Sequence, residues 1–152
     1  MANLVVIDAS ALLAAWLPNE SYQSMADQLL ECYVEGQVEL CGPTLLLSEI
    51  LNGLYIAVRG KAGHTPRVTL QVARQVWDLF EGLHLRLEDP SVLAKRILEF
   101  AIEYKLPSSY DAIYLALAEN LECPLITADR KLLRLVGKKF NWVRPLWEWK
   151  IQ

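Results

Sequence analysis

Four acidic residues, far apart in the chain, each stand where an apolar segment meets a turn: Asp8, Glu49, Asp111 and Asp129. Asp8 ends the run Leu4-Val5-Val6-Ile7, and Asp129 follows Pro124-Leu125-Ile126-Thr127-Ala128. Asp111 opens the segment Ala112-Ile113-Tyr114-Leu115-Ala116-Leu117, and Glu49 lies inside Leu45-Leu46-Leu47-Ser48-Glu49-Ile50-Leu51. Brought together, the four would make an all-oxygen pocket for a divalent cation, and such a pocket suits phosphodiester chemistry.

Taken singly, three of the acids have a plainer reading. Asp8 and Asp129 fit helix caps, and Asp111 fits a first-turn acid favoured by the helix dipole. Glu49 is harder to explain that way, because a carboxylate beside leucines loses hydration. Two carboxylates about 4 Å apart repel by roughly 4 kcal/mol at an effective dielectric near 20. Only Asp129 has basic neighbours in sequence, Arg130 and Lys131. A cation would relieve the repulsion, and hard oxygen donors select Mg²⁺ or Mn²⁺ over zinc. Mg²⁺ keeps several waters and touches only one or two carboxylates directly, so some of the four would act through water.

Other chemistries lack their residues. The chain has no Gly-rich phosphate loop and no Gly-x-Ser-x-Gly elbow. His64 and His84 read as surface or edge residues. Cys32, Cys41 and Cys123 are widely spaced, form no zinc pattern with the histidines, and read as buried small hydrophobes in a reducing compartment.

The elements that must position the acids alternate along the chain. Leu4–Ile7 reads as a strand buried on both faces. A short helix follows over Ser10–Trp16, closed by Pro18, then a helix over Ser21–Glu35 with Gly36 as its cap. Val38–Cys41 is the second strand, and Pro43 precedes a helix over Thr44–Val58. After a loop at Gly60–Pro66 comes a helix over Val68–Phe80, then an edge strand over Leu83–Leu87. Asp89-Pro90 opens a helix to about Tyr104, and Pro107-Ser108-Ser109 breaks the chain before a helix over Tyr110–Leu121. Leu125–Thr127 is a strand, Asp129–Val136 a helix, and Trp142–Arg144 the last strand. Strands separated by helices imply right-handed crossovers and a parallel sheet covered on both faces. Ligand crevices in such sheets lie beyond the carboxyl ends of the strands, where Asp8 and Asp129 fall.

Length and composition fit one domain over residues 1–152. Hydrophobic content is 53%, yet charges or turn residues interrupt every apolar run before it could span a bilayer. With no leader pattern at the N-terminus, a cytoplasmic location is expected. The net charge of −3 argues against a general nucleic-acid coat, but it hides two acid-free basic stretches. Ile50–Trp77 holds Arg59, Lys61, Arg67 and Arg74, and Arg130–Trp147 holds Arg130, Lys131, Arg134, Lys138, Lys139 and Arg144. Ordinary solvated faces would explain them, and so would phosphate binding beside the acids.

Four segments carry a resemblance. Val5-Val6-Ile7-Asp8-Ala9-Ser10-Ala11-Leu12, Ser48-Glu49, Tyr110-Asp111-Ala112-Ile113-Tyr114-Leu115-Ala116-Leu117-Ala118 and Leu125-Ile126-Thr127-Ala128-Asp129-Arg130-Lys131-Leu132 together resemble the motif set of PIN-domain nucleases. Within that family the chain looks most like VapC-type toxins of toxin–antitoxin pairs. The resemblance implies an α/β fold, a three-layer α/β/α sandwich with a central, mostly parallel sheet of four to five strands. It implies a Mg²⁺- or Mn²⁺-dependent endoribonuclease with Asp8, Glu49, Asp111 and Asp129 as catalytic metal ligands, and Thr127 and Ser10 assisting. RNA as substrate, an antitoxin protein as partner, and a homodimer are implied with it. A PIN-fold binding module with little or no catalysis is the alternative. The Arg59–Arg67 segment and the aromatic tail of Trp142, Trp147 and Trp149 are not part of the motif set.

Overall fold

The computed structural model describes residues 3–18 and 20–150. Five strands form one parallel sheet: β1 (Asn3–Ile7), β2 (Val38–Pro43), β3 (Arg86–Glu88), β4 (Leu125–Thr127) and β5 (Val143–Pro145). Their order across the sheet is β3-β2-β1-β4-β5. β1 is central, with Val5 opposite Leu40, Val6 opposite Leu125, and Ile7 opposite Ile126. All six of these side chains are buried, so the apolar runs read as strands become the sheet's interior.

Seven helices connect the strands: α1 (Ala9–Trp16), α2 (Gln23–Val34), α3 (Leu45–Arg59), α4 (Leu70–Gly82), α5 (Ala94–Glu103), α6 (Ser109–Asn120) and α7 (Arg130–Val136). The chain steps leftward from β1 to β2 to β3, then crosses to β4 and steps rightward to β5. With right-handed crossovers this reversal assigns α1–α4 to one face and α5–α7 to the other, giving three layers. It also makes the gap between β1 and β4 the topological switch point, where an α/β sheet opens a crevice at its carboxyl edge.

The expected elements are present, most with ends within two residues of the expected ones, and two of them differ more. The edge strand expected over Leu83–Leu87 is confined to Arg86–Glu88. Leu83 N–H still donates to Phe80 O, and His84 turns into the left-handed region at φ 50°, so these two residues finish α4 and cannot pair. The helix expected from Asp89-Pro90 begins as a 3-10 turn over Pro90–Leu93, capped by Asp89, before α5 sets in. Gly36 ends α2 at φ 76°, as a left-handed cap requires. A last 3-10 turn, Leu146–Glu148, follows β5.

The loop after α3 is held rather than loose. Arg67 donates to Pro18 O at 2.6 Å and pairs with Glu20 at 2.9 Å, fastening it to the α1–α2 corner. Cys32, Cys41 and Cys123 are all buried thiols. No helix among the described residues is long and apolar enough to cross a membrane.

Candidate active site

Asp8 is the first residue beyond β1, and its side chain caps α1 by accepting from Ala11 N–H at 3.1 Å. Capping explains only part of its setting. Ser10 Oγ donates to Asp8 Oδ1 at 2.6 Å, and the Thr127 hydroxyl donates to Asp8 Oδ2. Both hydroxyls are polarised in turn: Ala128 N–H donates to Ser10 Oγ at 2.9 Å and Asp129 N–H to Thr127 Oγ1 at 3.0 Å. Each hydroxyl has one proton, and each spends it on Asp8. Among the described residues the buried polar or charged side chains are Asp8 at 7% exposure and Thr127 at 0%. A protein buries a carboxylate only when something compensates. Here three donors occupy three of its roughly four lone-pair sites and leave one free.

Asp129 stands two residues past β4 and caps α7, its Oδ1 accepting from Lys131 N–H at 2.9 Å and Leu132 N–H at 3.2 Å. Thr127 thus links the two strand ends by holding Asp8 through its proton and Asp129 through its lone pair. Asp111 lies in the first turn of α6, behind the Ser108 cap. Glu49 lies on the second turn of α3 and accepts from the Tyr114 hydroxyl at 2.5 Å. Tyr114 is buried on α6, one turn after Asp111.

The charge of Asp129 reaches Asp8, Glu49 and Asp111. Burial pushes the Asp8 carboxyl up to about 6, with Asp129 raising it further against the three donors. Glu49 is held above the usual carboxylate range by burial and by Asp111 and Asp129, against the Tyr114 bond. Asp111 is raised by burial and by Asp129, and Lys131 opposes this. Asp129 therefore acts on each of the other three. Tyr114 is pushed far up by burial and by the charges of Glu49, Asp8 and Asp111, so it stays a protonated donor.

The donor set fits a hard cation. The free oxygens are one lone pair on Asp8, the second oxygens of Glu49 and Asp129, and the Asp111 carboxylate, whose raised affinity for protons has no hydrogen bond opposing it. Among the described residues no three of His, Cys, Asp and Glu stand close enough together to form a metal-holding group by themselves. Mg²⁺ coordination does not require one, because waters fill most of its shell.

Sequence reasoning treated Tyr114 as a core residue in an apolar run. The signal available was its spacing, three residues after Asp111 on one helical face. Of the basic residues in the two acid-free stretches, Arg130 and Lys131 directly follow Asp129. Arg59 lies ten residues beyond Glu49 on α3, about 15 Å along the axis, and Lys61 follows it.

The model of the PIN domain matches residues 5–138. This chain is a member of the PIN-domain family. Among its relatives, Ribonuclease VapC9 of Mycobacterium tuberculosis is 34% identical over 131 residues, spanning 85% of this chain and 88% of the relative. Ribonuclease VapC3 of Pyrobaculum aerophilum is 27% identical over 128 residues, covering 84% and 91% of the two chains. The crystal structure of PAE2754 from Pyrobaculum aerophilum superposes with a TM-score of 0.64 at 24% identity, covering 96% of this chain and 92% of that one. That of Mycobacterium tuberculosis VapC20, a sarcin-ricin loop cleaving toxin, gives 0.61 at 14% identity over 93% and 99%. A toxin–antitoxin complex from Klebsiella pneumoniae gives 0.56 at 22% identity over 87% and 92%. At these identities the structural likenesses speak for the PIN fold itself, the three-layer α/β/α sandwich.

Proposed function

We propose that this PIN-domain protein is an endoribonuclease that cleaves RNA phosphodiester bonds, and that it is the toxin of a toxin–antitoxin pair. The relatives bearing the name VapC ribonuclease cover most of its length, at up to 34% identity. The observation that carries the chemistry is the buried Asp8, wired through Thr127 to Asp129 at the switch point of the sheet.

In this reading Asp8, Glu49, Asp111 and Asp129 hold Mg²⁺ or Mn²⁺, some of them through water. Such an ion, when bound, lowers the pKa of an attacking water and steadies charge on the phosphoryl oxygens. The protein's part is to hold and aim the carboxylates. Ser10, Thr127 and Ala11 N–H lock Asp8, Tyr114 locks Glu49, and the caps of α7 lock Asp129. Arg130 and Lys131, exposed beside Asp129, hold the substrate backbone, which makes binding salt-sensitive. The products carry a 5′-phosphate and a 3′-hydroxyl.

The protein works in the cytoplasm as a homodimer, held in check by an antitoxin. The toxin–antitoxin complex among its structural neighbours supports that partner. The deciding experiment incubates single-stranded RNA with wild-type protein and with Asp8→Asn in the presence of Mn²⁺. Wild type cuts, EDTA stops it, and Asp8→Asn keeps the fold but loses at least about 100-fold in rate, as expected for a transition-state interaction. Wild-type cleavage by the variant refutes the assignment.

A further inference from the structure

The aromatic tail and the first residue of α7 meet at one place on the rim. Tyr22 and Trp147 are stacked with centroids 4.5 Å apart and an interplanar angle of 29°. The Arg130 guanidinium is 5.6 Å from the Tyr22 centroid and 5.4 Å from that of Trp147. Near-equal distances to two stacked rings put it against their common edge and not over either outer face. Arg130 also donates to the Tyr22 hydroxyl. That bond uses one of five guanidinium protons. Among the described residues no carboxylate pairs with Arg130, while Arg67, Arg86 and Arg96 each have acidic partners.

Topology fixes where this cluster lies. Arg130 follows Asp129 just past the carboxyl end of β4, and Trp147 follows the carboxyl end of β5, the strand next to it. Both are thus on the edge of the sheet that carries the acids. Tyr22, at the start of α2, reaches the same edge through the stack itself. Tyr22 and Trp147 are only half-buried and Arg130 is exposed.

We propose that Tyr22, Trp147 and Arg130 form a subsite for one unpaired nucleotide of the RNA next to the scissile bond, with the base stacked on the outer ring face and Arg130 on its phosphate. This rests on the ribonuclease reading. A flat apolar face accepts any base, and a guanidinium beside it takes the anionic backbone. The subsite therefore selects single-stranded over duplex RNA without reading sequence.

The test compares wild type, Trp147→Ala, Trp147→Phe and Arg130→Gln on a single-stranded oligoribonucleotide with Mn²⁺, and on copies carrying one abasic nucleotide at successive positions. Trp147→Ala is expected to raise KM by roughly 5- to 100-fold, the worth of one base–aromatic stack, with kcat little changed. Trp147→Phe restores most of the loss, and Arg130→Gln raises KM and flattens its salt dependence. In wild type one abasic position adjoining the cut weakens KM, and Trp147→Ala no longer responds to it. A merely structural tryptophan would lower the melting temperature and leave the abasic pattern intact, which overturns the proposal. So does a Trp147→Ala enzyme with wild-type KM. If wild type cleaves no RNA, the ribonuclease reading falls and the subsite with it; if wild type cleaves and the variants match it, the subsite alone falls.

Discussion

The Tyr114 hydroxyl donates to Glu49 Oε1 at 2.5 Å, joining α6 to α3 across 65 positions of sequence. Glu49 sits on a helix whose buried residues are Leu46, Ile50, Leu54 and Ala57, with no backbone cap to hold it. Tyr114 is the group that sets its direction, and burial beside three carboxylates keeps that hydroxyl protonated. Removing it leaves the glutamate free to swing.

Tyr114→Phe keeps the ring and deletes the donor. The fold should lose about 1 kcal/mol, the net worth of an ordinary hydrogen bond. Cleavage at saturating Mn²⁺ should fall by about 10-fold, with half-activation moved to higher Mn²⁺, because a misaimed carboxylate is felt through the metal's second shell. Mn²⁺ titration of the rate, together with thermal melts, checks both. A variant with unchanged Mn²⁺ dependence would show that Tyr114 is packing only.

Thr127→Val makes the same trade at Asp8. It preserves shape but removes the donor to Asp8 Oδ2 and the acceptor for Asp129 N–H. At 0% exposure no water replaces either bond. The expected cost is about 1–3 kcal/mol in urea unfolding, with Thr127→Ser near wild type. Activity should suffer with it, since two of the four acids lose an anchor at once.

How much of this was legible in the sequence depends on range. Strands β1 and β4 were plain because a run such as Leu4–Ile7 is too short for a helix and rich in β-branched residues. The four acids stood out because each interrupts or ends such a run. Tyr114 did not, because a tyrosine among Ala, Ile and Leu looks apolar until a partner 65 positions away claims its hydroxyl. Trp147 was equally hidden: nothing local says that its ring meets Tyr22. The end of α4 was misjudged for a local reason. His84 takes a left-handed conformation that only a few per cent of non-glycine residues adopt, so the alternation of Leu83, Leu85 and Leu87 read as strand.

Gly60 marks a position where only glycine fits. It closes α3 at φ 81°, and a Cβ there would meet His64 O at 2.8 Å. Gly60→Ala combines left-handed strain with a backbone clash, so it should cost about 2 kcal/mol or more. Because Arg67 fastens the far end of this loop to Pro18 and Glu20, the α1–α2 corner should loosen with it. Hydrogen exchange at α1 and α2 reads that directly, and unchanged protection there would contradict the coupling.

If the acids hold the ion as proposed, proton and metal compete for the same carboxylates, which gives opposite pH dependences to stability and activity. Asp8 titrates at about 6 in the folded protein against 3.8 in the unfolded chain, and Glu49 and Asp111 are shifted the same way. The native state therefore binds these protons more tightly. For metal-free protein, the stability tied to Asp8 is fully present below pH 3.8 and is lost as pH rises through about 6. The loss is about 3 kcal/mol, from roughly two pH units at 1.36 kcal/mol each. Activity runs the other way, because ionised carboxylates are needed, so the rate should fall as pH drops through about 6. A divalent cation binds the ionised form and offsets the repulsion. Mn²⁺ should then raise the melting temperature more at pH 7.5 than at pH 5, EDTA should reverse this, and higher Mn²⁺ should move the acid limb of the rate profile to lower pH. Thermal melts at the two pH values, with and without Mn²⁺, decide the matter. Equal stabilisation at both would mean that the ion is held elsewhere than at Asp8, Glu49, Asp111 and Asp129.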